Sequence, residues 1–274
     1  MELNESREQL KQQGLGLAAI SYDSIAVLDS FARRKQIGFT LLSDPDSKVI
    51  REFGVFNEDV PKDNPFYGIP HPITFLVDAK GKVVSKEAEK DFRERPTVSS
   101  LMVEKFGLRT GAAQSEIQSK YAHITASSSN SVIRAGEHIR LILDIQLPPG
   151  MHVYAPGVEG YLPIEWKMRD AISYSAMAVE YPKAKILRLE AIQETVPVYE
   201  GQFTLQREVT LSNAQKLTPT LTPGQEIVVE GTLRYQACDD RQCYLPQTVP
   251  LQWKLRYEPH DTQRAPEELR KKVR

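Results

Sequence analysis

Cysteine is scarce in this sequence, and it has no long hydrophobic run and no excess of charge of either sign. The 274 residues include two cysteines, and 35 lysines and arginines against 36 aspartates and glutamates give a net charge of -1. This balance disfavours partners that bind through a basic field, such as nucleic acids. No apolar run approaches the roughly 20 residues that a membrane span needs. We therefore expect no nucleic-acid partner and no membrane insertion by this chain.

The start of the chain is polar and lacks the apolar core of a signal peptide. Hydrophobic residues make up 41% of the chain and charged residues 26%, which is typical of a globular protein and too apolar for a disordered one. At about 100–200 residues per domain, the length predicts two domains.

The first half alternates between helix-like and strand-like segments. An apolar run at residues 15–22 predicts a strand buried on both faces, and Asp23 or Ser24 can cap the helix that follows. The pattern predicts an α/β sheet with helices on both faces. The predicted helices span residues 3–13, 25–35, 47–53 and 97–106, and the other strands are 40–43 and a hairpin, 73–78 with 82–86.

The second half changes character after a small, polar and patternless stretch at residues 108–120. We predict domains at residues 1–112 and 118–258, followed by a charged tail, 259–274, that is a frayed helix or disordered. Strand patterns without a convincing helix predict a β-sandwich. The predicted strands span residues 122–127, 139–147, 152–154, 162–168, 172–179, 203–211, 226–236 and 249–257.

The two cysteines, Cys238 and Cys243, stand at the ends of strand-like segments. A short connection could make them cross-strand neighbours within disulfide reach, about 5.5 Å between Cα atoms. A bridge closing so short a loop yields only about 2 kcal/mol of stabilisation, which favours a redox role. A structural disulfide in an exported sandwich and two inert thiols stay open as alternatives. Asp239 and Asp240 would raise a thiol pKa, whereas Arg241 would lower it.

The five histidines are scattered and show no paired ligand spacing. Two thiolates would need two further ligands, and no histidine stands near them in sequence, so we expect no metal site and no cofactor. His71 precedes Pro72 at the entry to a predicted strand, where a cis peptide often shapes a site.

Three stretches of the first half form a specific pattern: QGLGLAAISYDS at 13–24, LLSDP at 41–45 and GIPHPITFLVD at 68–78. Together they resemble the redoxin group of thioredoxin-like proteins, including the peroxiredoxin or thiol-specific antioxidant branch. The resemblance implies that this chain begins inside the family's first helix, where the reactive cysteine motif stands, so that Met1 is a truncated or misassigned start. Pro72 matches the family's cis-proline, and we expect His71 and Pro72 to mark a vestigial redoxin site.

Motifs of the second half are PGMHVY at 149–154, PVYEG at 197–201, YQAC at 235–238 and CYLP at 243–246. They resemble the N-terminal domain of the thiol:disulfide interchange protein DsbD, an immunoglobulin-like sandwich of the bacterial periplasm. The resemblance implies that Cys238 and Cys243 are a redox pair and that residues 198–201 form a cap loop, with Val198 or Tyr199 as its shielding side chain. It also places Tyr154 and His152 near the pair.

The two resemblances together predict an incomplete thioredoxin-like domain followed by an immunoglobulin-like sandwich. The function they imply is thiol-disulfide exchange with thioredoxin-like redox proteins in the periplasm. Either Cys238 or Cys243 could be the attacking sulfur. The competing interpretations are a non-catalytic binding scaffold with a structural disulfide, and a peroxiredoxin-type antioxidant activity in a full-length parent.

Overall fold

A computed structural model describes residues 2–88, 95–107, 114–189, 193–217 and 221–269. The chain forms two compact units, the first built from residues 1–98 and 260–274 and the second from residues 99–259. The change in composition places the boundary later, at residues 112–118, and part of that stretch lies outside the described residues. The domain bounds from the sequence therefore stay a prediction.

Unit 1 is an α/β region with short sheets. Strands β1 and β2 pair in parallel, whereas β3 and β4 form an antiparallel hairpin. Its elements in chain order are α1 (Glu2–Gln12), β1 (Ala18–Ser21), α2 (Ile25–Lys35), β2 (Thr40–Ser43), α3 (Lys48–Glu52), β3 (Ile73–Val77), β4 (Val83–Ala88) and β5 (Arg95–Pro96), and a short 3₁₀ turn, Glu267–Leu269, follows in the tail.

The strands of unit 1 correct two expectations. Within the described residues β1 to β4 form two separate two-stranded sheets instead of one α/β sheet with helices on both faces. The strand predicted to be buried on both faces, now β1, alternates between exposed and half-buried positions, and Ile20 is 39% exposed. The reason is that, among the described strands, β1 is paired with β2 alone, so its apolar run lies at a sheet edge.

Local sequence signals explain the helices of unit 1. The Ser24 hydroxyl accepts a hydrogen bond from the backbone N–H of Val27 and caps α2, as predicted. The carboxylate of Asp44 accepts bonds from two N–H groups at the start of α3 and so orients Ile50 into a small core. In the charged tail, Asp261 forms ion pairs with Arg34 and Lys35 on α2. The tail is therefore anchored to α2 at Asp261, and residues 262–269 follow this anchored residue. The last five residues lie outside the described part.

Unit 2 is a β-rich region of three sheets, which agrees with the predicted sandwich. The strand orders are β12-β15-β9-β7-β6, β11-β16-β18-β8 and β13-β14-β10-β17. Its elements are α4 (Val98–Phe106), β6 (Gln114–Gln118), β7 (His123–Ser128), β8 (Val132–Ile133), β9 (Glu137–Gln146), β10 (His152–Tyr154), β11 (Glu165–Met168), β12 (Tyr174–Glu180), β13 (Lys185–Leu189), β14 (Glu194–Glu200), β15 (Gln202–Leu211), α5 (Ala214–Leu217), β16 (Glu226–Tyr235), β17 (Ala237–Cys238) and β18 (Gln247–Tyr257).

The core of unit 2 follows from strand alternation. Along β16 and β18 every second side chain is buried, so each strand presents one apolar face to the interior. Trp166 and Trp253 stack there with ring centroids 5.5 Å apart, and the indole N–H of Trp253 donates to the carbonyl of Ser127. Each fully buried large apolar side chain contributes about 1.5–3 kcal/mol, which makes this core the main stabilising feature of the unit.

All eight strands predicted for unit 2 are present, with ends shifted by a few residues, and β10 has the predicted bounds. Strands β6, β8, β13 and β14 are not among the predicted ones, and the predicted strand 226–236 stops before β17. Strand β14 contains Pro197 and β13 alternates apolar residues with Lys185 and Arg188, so neither has a clear strand pattern. Within the described residues, no helix is long and apolar enough to cross a membrane.

Candidate functional site

Cys238 and Cys243 form a disulfide with an S–S distance of 2.03 Å and a Cα–Cα distance of 4.0 Å. Cys238 ends the short strand β17, and the two cysteines face each other as an isolated antiparallel bridge. The loop between them is fixed by Asp239, whose carboxylate accepts hydrogen bonds from the backbone N–H groups of Arg241 and Gln242 and from the Tyr244 hydroxyl. These bonds hold the pKa of Asp239 below its usual value. The sulfurs therefore sit on a rigid turn.

The two sulfur-bearing residues differ sharply in exposure. Cys238 is 1% exposed, whereas Cys243 is an exposed residue. Cys243 is therefore the more accessible residue of the pair. Exchange requires direct access to one sulfur atom. The difference in exposure therefore distinguishes two cysteines that the sequence could not tell apart.

The sheet β13-β14-β10-β17 presents two faces because neighbouring residues on a strand point in opposite directions. On β10, Val153 lies opposite Tyr199 and Ala237, and all three belong to the main core. The other face carries Tyr154, which lies opposite Val198, and His152, which lies opposite both Glu200 and Cys238. The disulfide is therefore built on the outer face of this sheet.

A second, small core covers the buried cysteine on this face. We call it the Tyr154–Cys238 cluster, and it contains Tyr154, Val196, Val198 and Cys238. The hydroxyl of Tyr154 lies 3.7 Å from Sγ of Cys243, and burial raises the pKa of this phenol. The Tyr154 side chain thus packs beside Cys238 and contacts the sulfur of Cys243.

Tyr161 is a member of the site that the sequence analysis missed. Its ring stacks on that of Tyr154 with centroids 4.4 Å apart, and its hydroxyl donates to Glu194 at 2.6 Å. This hydrogen bond and smaller effects raise the pKa of Tyr161 to about 12. Half-buried Val158, Leu187 and Leu189 also pack against the cluster. A lone tyrosine in a loop, without any motif around it, gives no sequence signal for this role.

The predicted cap loop is corrected by the structure. Val198, Tyr199 and Glu200 belong to strand β14, which pairs with β10 on one side and β13 on the other. Val198 is fully buried and packs in the Tyr154–Cys238 cluster. Tyr199 points to the opposite face, where its ring stacks on Phe203 with centroids 4.9 Å apart. Alternation along the strand therefore places Val198, and not Tyr199, beside the buried cysteine.

His152 lies in the site as the sequence resemblance implied. It is 3% exposed, and its ring contacts that of Tyr154 edge to face, with centroids 5.5 Å apart. Burial lowers the pKa of His152, and the nearby carboxylates of Glu200, Asp240 and Asp239 only partly oppose this effect. The imidazole is therefore neutral at pH 7.

His71 and Pro72 are the two site residues predicted in unit 1. Both precede β3, and the backbone N–H of His71 donates to the carbonyl of Val55. No cis peptide bond occurs among the described residues, so the cis-proline expected at Pro72 is a trans-proline. The trans form of a bond before proline is intrinsically favoured by about 0.5–1 kcal/mol. A cis-proline therefore forms only where the surrounding residues reverse that preference.

The site offers no donor set for a metal. Within the described ranges no group of three or more His, Cys, Asp or Glu side chains is arranged to hold an ion.

Family models match both halves of the chain. Residues 1–86 match the AhpC/TSA family, and residues 123–252 match the N-terminal region of the thiol:disulfide interchange protein DsbD. The chain thus joins a peroxiredoxin-like region to a DsbD N-terminal-like domain. The disulfide and the Tyr154–Cys238 cluster lie within the second match, and both cysteines lie outside the first.

The chain is also similar to individual peroxiredoxins over part of its length. Peroxiredoxin Bcp of Escherichia coli (strain K12) is 40% identical over 81 residues, which is 30% of this chain and 51% of that protein. The putative peroxiredoxin bcp of Haemophilus influenzae is 38% identical over 82 residues, 30% of this chain and 52% of that protein. The chain therefore spans about half the length of these curated relatives.

A solved structure matches about half of the chain. The N-terminal periplasmic domain of ScsB from Proteus mirabilis aligns with 15% identity and a TM-score of 0.36, covering 52% of this chain and 51% of that chain.

Proposed function

We propose that unit 2 is a thiol-disulfide exchange module that passes electrons between thioredoxin-like proteins through Cys238 and Cys243. The observation that carries the proposal is the asymmetric disulfide, with Cys243 exposed and Cys238 buried in its own cluster on the outer face of a sheet. A bridge with one accessible and one shielded sulfur suits sequential exchange, because one sulfur meets the partner while the other resolves the complex. The match to the DsbD N-terminal family supports the same function.

In the reduced protein the thiolate of Cys243 attacks a partner's disulfide. A bond forms between Cys243 and one partner sulfur, and the second partner sulfur leaves as a thiolate. The thiol of Cys238 then loses its proton and attacks Sγ of Cys243, which re-forms the intramolecular disulfide and releases the first partner sulfur. Two electrons pass from the cysteine pair to the partner, which leaves as a dithiol.

The reverse reaction loads the pair with electrons. A donor thiolate attacks Sγ of Cys243, since Sγ of Cys238 is shielded, and Cys238 leaves as a thiolate that takes up a proton. The donor's second thiolate then releases Cys243 and becomes part of the donor's disulfide. The same exposed sulfur serves both directions, so the choice of partner depends on the relative reduction potentials.

We place this exchange in the periplasm, an oxidising compartment in which disulfides persist. The similarity to DsbD supports that location. The peroxiredoxin-like region contains no cysteine, so it does not supply the thiolate that a thiol peroxidase needs as nucleophile. We propose that this region serves as a redoxin-like module in the same chain as the exchange module, without a cysteine of its own for peroxide turnover.

Trapping with single-cysteine variants tests the proposal. Cys238→Ser and Cys243→Ser chains are mixed with a thioredoxin that keeps only its attacking cysteine, activated as a thionitrobenzoate mixed disulfide. We expect the Cys238→Ser chain to form the covalent complex at least about 10-fold faster, because it keeps the accessible sulfur. Absence of a complex with either variant would favour a binding scaffold with a structural disulfide, and equal rates would refute the assigned order of attack.

A further inference from the structure

One polar group of the site is not used by the exchange scheme. The Nε2 atom of His152 is buried and has no hydrogen-bond partner among the described residues. Leaving a buried polar atom unpaired is destabilising, and each such atom in a native protein calls for an explanation such as a catalytic role. His152 stands inside the candidate site, so its unpaired nitrogen is available for chemistry there.

The register places this imidazole beside the buried sulfur. His152 lies directly opposite Cys238 across the antiparallel pair of β10 and β17. Side chains at directly opposed positions share one face of the sheet, and their Cβ atoms lie about 4.5–5.5 Å apart. The edge-to-face contact with Tyr154 keeps the ring on the face that carries the Tyr154–Cys238 cluster.

The exchange scheme has a step that needs such a group. Cys238 has to lose its proton before it can resolve the mixed disulfide, and burial disfavours the thiolate form of a cysteine. A neutral imidazole on the same face can accept that proton. We infer that His152 is the proton acceptor for Cys238 in the resolving step. This inference rests on the proposed exchange function.

The Cys238 thiol transfers its proton to the His152 imidazole, and the resulting thiolate attacks Sγ of Cys243. The bond between Cys243 and the partner breaks, and the partner sulfur leaves with the electron pair. The imidazolium gives its proton to that sulfur or to water, which restores the neutral ring. In the reverse direction the donor thiol gives its proton to the imidazole as its sulfur attacks Sγ of Cys243, and the imidazolium passes that proton to Cys238 as Cys238 leaves.

The charges around His152 are compatible with this role. Glu200 on β14 faces it directly, and Asp239 and Asp240 follow β17. The carboxylate of Glu200 is also within 3.4 Å of Lys185 on β13. These carboxylates stabilise a transient imidazolium, whereas burial keeps the resting imidazole neutral. Tyr154 on the same strand has a raised pKa and stays uncharged at neutral pH.

Single-turnover oxidation of the reduced chain by oxidised glutathione tests the inference. Acid quenching and mass spectrometry separate the glutathionylated chain, formed by the first attack, from the disulfide form, produced by the resolving step. With His152→Gln we expect the resolving step at pH 7 to slow by about 100-fold or more, so that the glutathionylated chain accumulates. The difference from the wild type should shrink as the pH rises above about 8.5, the ordinary pKa of a thiol, because deprotonation by solvent base then becomes easier.

The matched control is His123→Gln, which replaces an exposed histidine of the same unit and should leave the rates unchanged. If His152→Gln does not fold, the pH dependence of the resolving step in the wild-type chain tests the inference instead. The rate of the resolving step should level off above a midpoint below pH 6.5 and stay flat through neutrality. A resolving rate that rises tenfold per pH unit from 6 to 8 would overturn the role of His152, as would a variant whose pH profile matches the wild type.

The two proposals fail in different ways. A wild-type chain that does not react with oxidised glutathione or with thioredoxin contradicts the exchange function. A wild-type chain that exchanges normally, together with a His152→Gln chain of unchanged pH profile, contradicts only the role of His152.

Discussion

The hydroxyl of Tyr154 lies 3.7 Å from Sγ of Cys243, and the ring of the same residue packs in the cluster with Cys238. One side chain therefore contacts both ends of the disulfide. Burial, with a smaller contribution from Glu194, raises the pKa of this phenol, so it remains protonated at neutral pH. A protonated hydroxyl at this position can donate to the Cys243 thiolate once the bridge is reduced.

Replacing Tyr154 by Phe removes that donor and keeps the ring. A hydrogen bond to the charged form of a group lowers its pKa, and one to a charged group is worth about 1.5–3 kcal/mol. We expect the pKa of Cys243 in the reduced chain to rise by roughly one unit, since one unit corresponds to about 1.4 kcal/mol. The pH dependence of iodoacetamide alkylation, read at the Cys243 peptide, measures this shift. An unchanged profile would mean that the hydroxyl does not contact the thiolate.

Val198 is the residue that packs against the buried cysteine from β14, and it is fully buried. Val198→Ala should lower the free energy of unfolding by about 1–3 kcal/mol, because it leaves a cavity in the Tyr154–Cys238 cluster. Looser packing should also speed reduction of the disulfide by dithiothreitol. Urea unfolding and thiol titration measure the two effects. The matched control is Val228→Ala on the outer face of β16, where the side chain is 39% exposed and little change is expected.

The sequence predicted best what local signals determine. The bounds of α2 follow from the Ser24 cap and from the apolar spacing of the helix, and the short strands β2 and β10 also have the predicted bounds. Which side chains face the disulfide depends instead on the register between strands that are distant in sequence. Adjacent residues such as Val198 and Tyr199 look equivalent in a motif, and only pairing with β10 decides which one reaches Cys238.

The assignment of the accessible cysteine could not be made from the sequence for a similar reason. Cys238 is buried by a cluster whose members come from β10, β14 and the half-buried residues around them, including Tyr161. None of these residues is close to the cysteines along the chain. The trans peptide bond at Pro72 likewise shows that a motif can persist without the geometry it has in the family.

A buried ion pair away from the cysteines gives a pH-dependent prediction. The Arg140 side chain is 6% exposed and donates to Glu104 at 2.9 Å and to Glu180 at 2.6 Å. Arg140→Met should lower the free energy of unfolding at pH 7 by about 2 kcal/mol, because charged hydrogen bonds are lost. The exposed Arg234→Met is the control, and urea unfolding measures both.

The contribution of the Arg140 ion pairs to stability should become smaller in acid. Burial would raise the pKa of Glu104, but hydrogen bonds from Lys105 and Arg140 outweigh it, so the pKa lies below 4.5 in the folded chain. A lowered folded pKa contributes stability above the unfolded value, and that stability is lost as the pH falls through the folded pKa. The difference between wild type and Arg140→Met should therefore be largest near neutrality and shrink below about pH 4.5. A difference that does not depend on pH would contradict this assignment.

The reduction potential of the Cys238–Cys243 disulfide tests the exchange function most directly. The full chain is equilibrated in dithiothreitol redox buffers, and free thiols are counted by mass after alkylation. Exchange with thioredoxin-like proteins predicts a potential between about −180 and −270 mV. A bridge that remains oxidised below about −300 mV would be a structural disulfide and would contradict the proposed function.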